Sequence, residues 1–195
     1  MSAISRIVLV SLGSNEKSAW GDSRETVQKA MLAVGELSEK PPRFSNLYAT
    51  PAFPAGAGPE FVNAGMAVFT KSSAVEFLDR LHQIEAAAGR TRARRWGQRT
   101  LDLDLIAVGD DILPDAATQT QWRNLAPDDQ QVMVPQNIIL PHPRMQDRAF
   151  VLVPLRDVAA DWVHPVLGRS IAQICAGLTD VEMAGVTSLG NFSGP

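Results

Sequence analysis

From Gly89 to Gly109 the chain reads GRTRARRWGQRTLDLDLIAVG. Its second half alternates with the period of a strand. Leu101, Leu103 and Leu105 point one way, and Asp102 and Asp104 the other. Strand geometry sets these same-face carboxylates about 7 Å apart at Cα, a separation that lets both hold one site of hard cations. Just upstream stand Arg90, Arg92, Arg94, Arg95 and Arg99, with Trp96 among them. Guanidinium forks clamp anionic oxygens in pairs. A carboxylate pair for Mg²⁺ beside clustered arginines is the equipment of phosphoryl transfer from a nucleotide. Each half has a plainer explanation: a half-buried strand with its acids in water, or a solvated arginine loop. Their adjacency favours chemistry, because acids are disfavoured in strands.

The elements that must position these groups follow from pattern. Ile7 to Leu12 reads as a buried first strand ended by Gly13-Ser14-Asn15. Asp22 and Glu25 form a capping box for a helix striped by Val27, Ala30, Met31 and Val34. Phe44 to Thr50 is a second strand, and Phe61 to Phe69 a third, with Val62, Ala64, Met66 and Val68 on its core face and Phe61 and Asn63 opposite. Ser73 and Glu76 cap a second helix carrying Phe77, Leu78, Leu81 and Ile84, with Glu85 at the edge of that stripe. Gly89 ends it. The order β-α-β-β-α-β predicts an α+β fold: a ferredoxin-like core with C-terminal additions and helices packed on a mainly antiparallel sheet. Strand order 2-3-1-4 would set the third and fourth strands about 10 Å apart, with Asn63 facing the carboxylates across that gap. Phe150 to Leu155 reads as a short strand, and Ser170 to Leu178 as a helix holding Cys175 as a small buried hydrophobe. The expected organisation is one domain over 1–180, with a long insertion at about 110–140 and a tail over 181–195.

Composition narrows the class. The chain has 195 residues and a formal charge of −3, with 45% hydrophobic residues, which suits one soluble domain and gives no general attraction to nucleic acid or membrane. One cysteine excludes an internal disulfide framework. No lysine sits in a phosphate-loop motif. The absence of a long apolar stretch and the cysteine usage lead us to expect a cytoplasmic setting.

The run Arg95-Trp96-Gly97-Gln98-Arg99-Thr100-Leu101-Asp102-Leu103-Asp104, followed by Pro141-His142-Pro143-Arg144-Met145 and Arg148-Ala149-Phe150, resembles 6-hydroxymethyl-7,8-dihydropterin pyrophosphokinase of folate biosynthesis. The resemblance runs from Val8 to about Leu178. It implies transfer of pyrophosphate from ATP to the pterin alcohol, releasing AMP. Asp102 and Asp104 match ligands of two Mg²⁺ ions. Arg90, Arg92 and Arg99 match phosphate contacts, and Arg95 and Trp96 match a loop that closes over the loaded site. His142 and Arg148 match positions that contact the nucleotide, and Glu85, read as an acid beside the metal or the arginines, is expected to join them in the ATP site. Phe61 and Phe150 match the aromatic pair that sandwiches the pterin, Asn63 the residue that reads its polar edge, and Thr50 to Phe53 the rest of that pocket. His82 stands where related sequences often carry Gln. Partners are then the two small substrates, without nucleic acid or membrane, for a monomer or weak dimer. Two other readings compete: another Mg²⁺-dependent nucleotidyl or phosphoryl transferase on the same fold, and a ferredoxin-like RNA-binding module. The acidic sheet face and negative charge disfavour the module.

Overall fold

The central strand is β1 (Arg6–Ser14), which pairs antiparallel with β4 (Phe61–Thr70) on one side and β5 (Asp102–Val108) on the other. This is a computed structural model, and it describes residues 4–52, 58–90, 100–126, 129 and 132–192. Beyond β4 lie β2 (Arg43–Phe44) and β3 (Leu47–Thr50), both antiparallel to it, so the single second strand expected over Phe44 to Thr50 is broken in two. The order β5-β1-β4-β3 is the expected 2-3-1-4 arrangement.

Side-chain alternation divides the sheet into two faces. Val8, Val10, Leu12, Ala64, Met66, Val68, Leu103 and Leu105 form the first, against α1 (Ser23–Gly35) and α2 (Ala74–Ala87). Both helices carry the expected capping boxes, Asp22 with Glu25 and Ser73 with Glu76. Each box satisfies amide groups that a helix start leaves without partners.

The second face departs from expectation. Ala149–Ala159, whose first half was read as a strand, is a helix, α4; α3 precedes it at Ala116–Arg123. Val151, Leu152, Val153, Leu155 and Val158 of α4 are buried with Leu9, Ala67, Ile106 and Ala107 of the sheet. A helix apolar on nearly every side shows no clean helical period, and the internal Pro154 argued further against one. Burial outweighs the hydrogen bond that the proline forfeits. Helices therefore lie on both faces.

The close approach of α4 has a sequence cause. A Cβ at Gly65 would sit 2.9 Å from both Leu155 N and Pro154 C, so only glycine lets the helix backbone down onto β4. On β5 a bulge makes the strand one residue longer than its partner: Leu9 pairs Ala107 and Val10 pairs Leu105, leaving Ile106 over. The backbone N–H of His142 donates to Ile106 O at 2.8 Å.

The segment expected as a tail holds α6 (Asp180–Ala184) and β8 (Thr187–Gly190), and β8 pairs with β3. Phe192 packs on Phe44 with ring centroids 5.0 Å apart. Between α4 and α6 lie a small hairpin, β6 (Val163–His164) with β7 (Arg169–Ser170), and α5 (Ile171–Cys175), where Cys175 is buried as expected. Among the described residues no helix is long and apolar enough to cross a membrane.

His164 gives the hairpin a pH dependence. Its ring is fully buried, and Nδ1 accepts the backbone N–H groups of Val166 and Leu167, both at 3.2 Å. Burial, aided by Arg123, pushes the imidazole down to about 4. A depressed folded value means that the neutral ring stabilises the fold above the usual 6.5, and that this contribution is lost as pH falls from 6.5 towards 4. His164→Asn keeps an acceptor in the place of Nδ1 but cannot titrate. Melting temperatures measured at pH 7.5 and pH 4.5 should therefore fall less in the variant than in the wild type. Equal falls would show that His164 has no part in acid destabilisation.

Candidate active site

β5 carries Asp102 and Asp104 onto the second face, because Leu103 and Leu105 are claimed by the core under α2. Across the sheet, Asp102 stands opposite Gly13 and Gly13 opposite Asn63, while Asp104 stands opposite Ser11 and Ser11 opposite Gly65. Gly13 thus leaves a gap between the carboxylate strand and Asn63. A Cβ there would come within 3.2 Å of Asn63 Oδ1 and 3.8 Å of the Phe61 ring.

Glu85, at the last turn of α2, organises the carboxylate side. It is 2% exposed and accepts the Leu103 backbone N–H at 2.8 Å. It also pairs with Arg90, whose Nη1 lies 2.8 Å from Asp102 Oδ1. Burial pushes the Glu85 carboxyl up to about 7; the Leu103 amide and Arg90 oppose the rise, and Asp102 and Asp104 add to it. One carboxylate thereby ties the end of α2, the start of β5 and the first arginine of the loop together. At the loop's far side, Ser14 Oγ donates to Thr100 O at 2.6 Å.

The Pro141–Arg148 segment supplies the opposite wall. His142 is fixed by its N–H on Ile106 O, and its Nδ1 accepts the Arg144 backbone N–H at 3.2 Å. Burial, with Arg148 and Arg144 nearby, pushes the His142 imidazole down to about 3. The ring is neutral at physiological pH, and with Nδ1 accepting, its proton is on Nε2, available to donate. Arg148, at the head of α4, lies 3.7 Å from Asp104 Oδ2 and stacks over Phe150 at 5.6 Å.

Glu85, Arg90, Asp102, Asp104, His142 and Arg148 line one cavity of about 780 Å³. It is large enough for a whole nucleotide. Anionic oxygens face guanidinium groups here, the balance a metal–polyphosphate complex needs.

Residues 9–160 match the sequence profile of the 7,8-dihydro-6-hydroxymethylpterin-pyrophosphokinase (HPPK) family. The chain belongs to this family. The 2-amino-4-hydroxy-6-hydroxymethyldihydropteridine pyrophosphokinase of Pseudomonas aeruginosa is 35% identical over 170 residues, covering 87% of this chain and 90% of that protein. The Synechocystis sp. protein of the same name is 34% identical over 166 residues, 85% of this chain and 73% of the other. In fold, the chain is similar to wild-type Plasmodium falciparum HPPK-DHPS, with TM-score 0.55 and 14% identity over 88% of this chain. The chain spans 44% of that larger protein, and the likeness concerns the fold alone.

The site residues expected of an HPPK fall into four groups. Glu85, Arg90, Asp102, Asp104, His142 and Arg148 come together in the cavity. Thr50, Phe61 and Asn63 lie along the sheet from it; the Asn63 side-chain amide donates to Thr50 Oγ1 at 2.8 Å, and both residues are buried. Phe150 sits beside Arg148 and makes no ring contact with Phe61 among the described residues. Arg92, Arg95, Trp96, Arg99 and Phe53 lie outside the described residues. Sequence reasoning missed Gly13, whose signal was its place in a strand end facing the third strand. It also missed Trp122, Arg144 and the stretch from Met133 to Ile139, all of which line the cavity. His82, noted as a departure from related sequences, lines it as well.

Proposed function

We propose that the chain transfers the diphosphate of ATP to the hydroxymethyl group of 6-hydroxymethyl-7,8-dihydropterin, releasing AMP, as a step in folate biosynthesis. The family supports the reaction. The observation that carries the site is the single cavity joining Asp102 and Asp104 to Arg90, His142 and Arg148.

In this reading the pterin hydroxyl oxygen bonds to the β-phosphorus of ATP. The bond from that phosphorus to the α,β-bridging oxygen breaks, that oxygen leaves with AMP, and the hydroxyl proton passes to solvent. Arg90, held between Glu85 and Asp102, presents a fixed positive charge without a search through rotamers. Arg148 does the same at Asp104. His142 donates from Nε2 to a nucleotide oxygen. Asn63 and Thr50 read the polar edge of the pterin, with Phe61 and Phe150 flanking the ring and Gly13 leaving it room. The arginines Arg92 and Arg99 add phosphate contacts, and Arg95 and Trp96 close the site against water.

The donor chemistry fits Mg²⁺. Asp102 and Asp104 are hard oxygen donors on one face, with side chains 18% and 34% exposed, and among the described residues no third His, Cys, Asp or Glu completes a self-sufficient metal cage. That suits a cation that takes most of its ligands from substrate phosphates and water. When bound, two such ions supply charge neutralisation along the triphosphate and acidify the attacking hydroxyl.

The test is incubation with ATP, Mg²⁺ and the reduced pterin alcohol. AMP should form one-for-one with pterin diphosphate, and only with a divalent metal present. Stoichiometric ADP would overturn the assignment in favour of simple phosphoryl transfer.

A further inference from the structure

Residues 179–192, which hold α6 and β8, form a strap across the outer edge of the sheet. They lie past residue 160, where the match to the family profile ends. The strap is pinned on both faces. Met183 and Val186 pack against the second-face core, and Leu189 and Phe192 against the first. Phe192 rests on Phe44 of β2, and Arg24 of α1 donates from Nη2 to Leu189 O at 3.4 Å. Anchors on opposite faces hold the backbone between them against the sheet edge.

That edge belongs to β3, a strand of four residues. Its two ends are fastened differently. At its start, the Asp157 carboxylate of α4 accepts the Tyr48 hydroxyl at 2.8 Å and the Asn46 N–H at 3.0 Å. At its far end stands Thr50, whose Oγ1 accepts the Asn63 side-chain amide. The strap meets this second end. Thr187 pairs with Ala49, one residue before Thr50. A Cβ at Gly185 would lie 3.9 Å from Pro51 Cδ, one residue after it. Thr50 is thus bracketed from outside by the strap and held from inside by β4, where it stands opposite Phe61. A short strand at a sheet edge opens readily from its ends unless another element covers it. A hydroxyl that orients an amide does so only while its own backbone is fixed.

We propose that the C-terminal strap is a positioning element for the pterin: it holds the Thr50 end of β3, so that Thr50 and Asn63 present a fixed polar edge to the ring. This rests on reading those two residues as the pterin side of the site. The full chain is tested with two variants that loosen the strap at opposite ends. Val186→Asp puts a charge into a half-buried apolar place, and Phe192→Ala removes the ring that rests on Phe44. Val186→Leu is the conservative counterpart. Amide hydrogen exchange at Thr50 and Ala52 should quicken in Val186→Asp and Phe192→Ala, while exchange at Val8 to Leu12 of β1 stays as in the wild type. In turnover, KM for the pterin alcohol should rise roughly three- to tenfold, about the worth of one misplaced hydrogen bond, with KM for ATP and kcat nearly constant. Val186→Leu should match the wild type in both measurements. Faster exchange with an unchanged pterin KM would overturn the proposal, because the strap would then be structural only. Equal rises in both KM values would overturn it as a general loosening of the fold. Unchanged exchange in both variants would show that β3 holds Thr50 without the strap. A wild-type chain that makes no AMP from ATP and the pterin alcohol would sink the pterin reading and this proposal with it, a failure visible before any variant is compared.

Discussion

Asp104→Asn and Asp102→Asn should each reduce AMP formation by at least two to three orders of magnitude, a loss of about 3–4 kcal/mol of transition-state stabilisation. The amide keeps the shape of each side chain on β5 and removes only charge and anionic donors. Mg²⁺ that takes most of its ligands from phosphate and water cannot readily replace a lost carboxylate with a neutral oxygen. The fold should survive both changes, because neither side chain is part of a core and each is partly exposed. Arg90 keeps Glu85 as its partner in Asp102→Asn, so no buried cation is stranded. Losing the Asp102 charge also removes one of the influences that raise the Glu85 carboxyl. Pterin affinity without nucleotide should change little, since Asn63 and Thr50 bond each other and not the carboxylates. The measurement is turnover at saturating Mg²⁺ alongside a melting curve. A variant keeping more than about a tenth of wild-type turnover, a deficit under about 1.4 kcal/mol, would remove that residue from the proposed metal site.

The second large effect is on folding. Gly65→Val should lower the melting temperature by about 6–12 °C, the consequence of roughly 3 kcal/mol of overpacking. The atoms a side chain would meet at 2.9 Å are backbone atoms of α4, which cannot swing aside as a flexible side chain can. Gly65 is also locked from its other edge, its N–H donating to Ser45 Oγ at 2.8 Å and its carbonyl accepting the Ser45 N–H at 3.0 Å. The strand cannot retreat, so α4 must. Arg148 and Phe150 lie at the head of that helix, and turnover should fall along with stability. Gly185→Ala is the control: φ there is −74°, and the nearest atoms to a new Cβ are 3.8 Å away. An unchanged melting temperature in Gly65→Val would mean that α4 sits on the sheet with slack.

The first face of the fold and the carboxylate pair were legible in the sequence because both rest on local rules. Alternation placed Leu103 and Leu105 in and Asp102 and Asp104 out, and two capping boxes marked both helix starts. Where tertiary contacts overrule local pattern, the sequence misled. The Phe150 to Leu155 run has no helical stripe because nearly every side of α4 is buried, and Pro154 points away from a helix altogether. β8 was invisible for a different reason: Thr187 to Gly190 is short and mostly polar, and it becomes a strand only because β3 offers it an edge. In the site, the Leu-Asp-Leu-Asp run announced itself by its alternation, and the Pro-His-Pro-Arg run by its resemblance to the family. Trp122 did not, since α3 reaches the cavity wall beside Pro141, where the Gln119 side chain finds a carbonyl twenty-two residues away.

The extra residue in β5 also sets a condition on length. Ile106 lies outside the one-to-one pairing with β1, and its carbonyl receives the His142 amide. The carboxylate strand and the histidine segment are therefore kept in step by a count of peptide units. Side-chain identity at position 106 matters only as apolar filling, so exchange for Val or Leu leaves the alignment intact. Deleting that one residue would give a more regular ladder and would also leave the histidine wall without its mooring. At this point one apolar residue is exchangeable for another, while the number of residues is not.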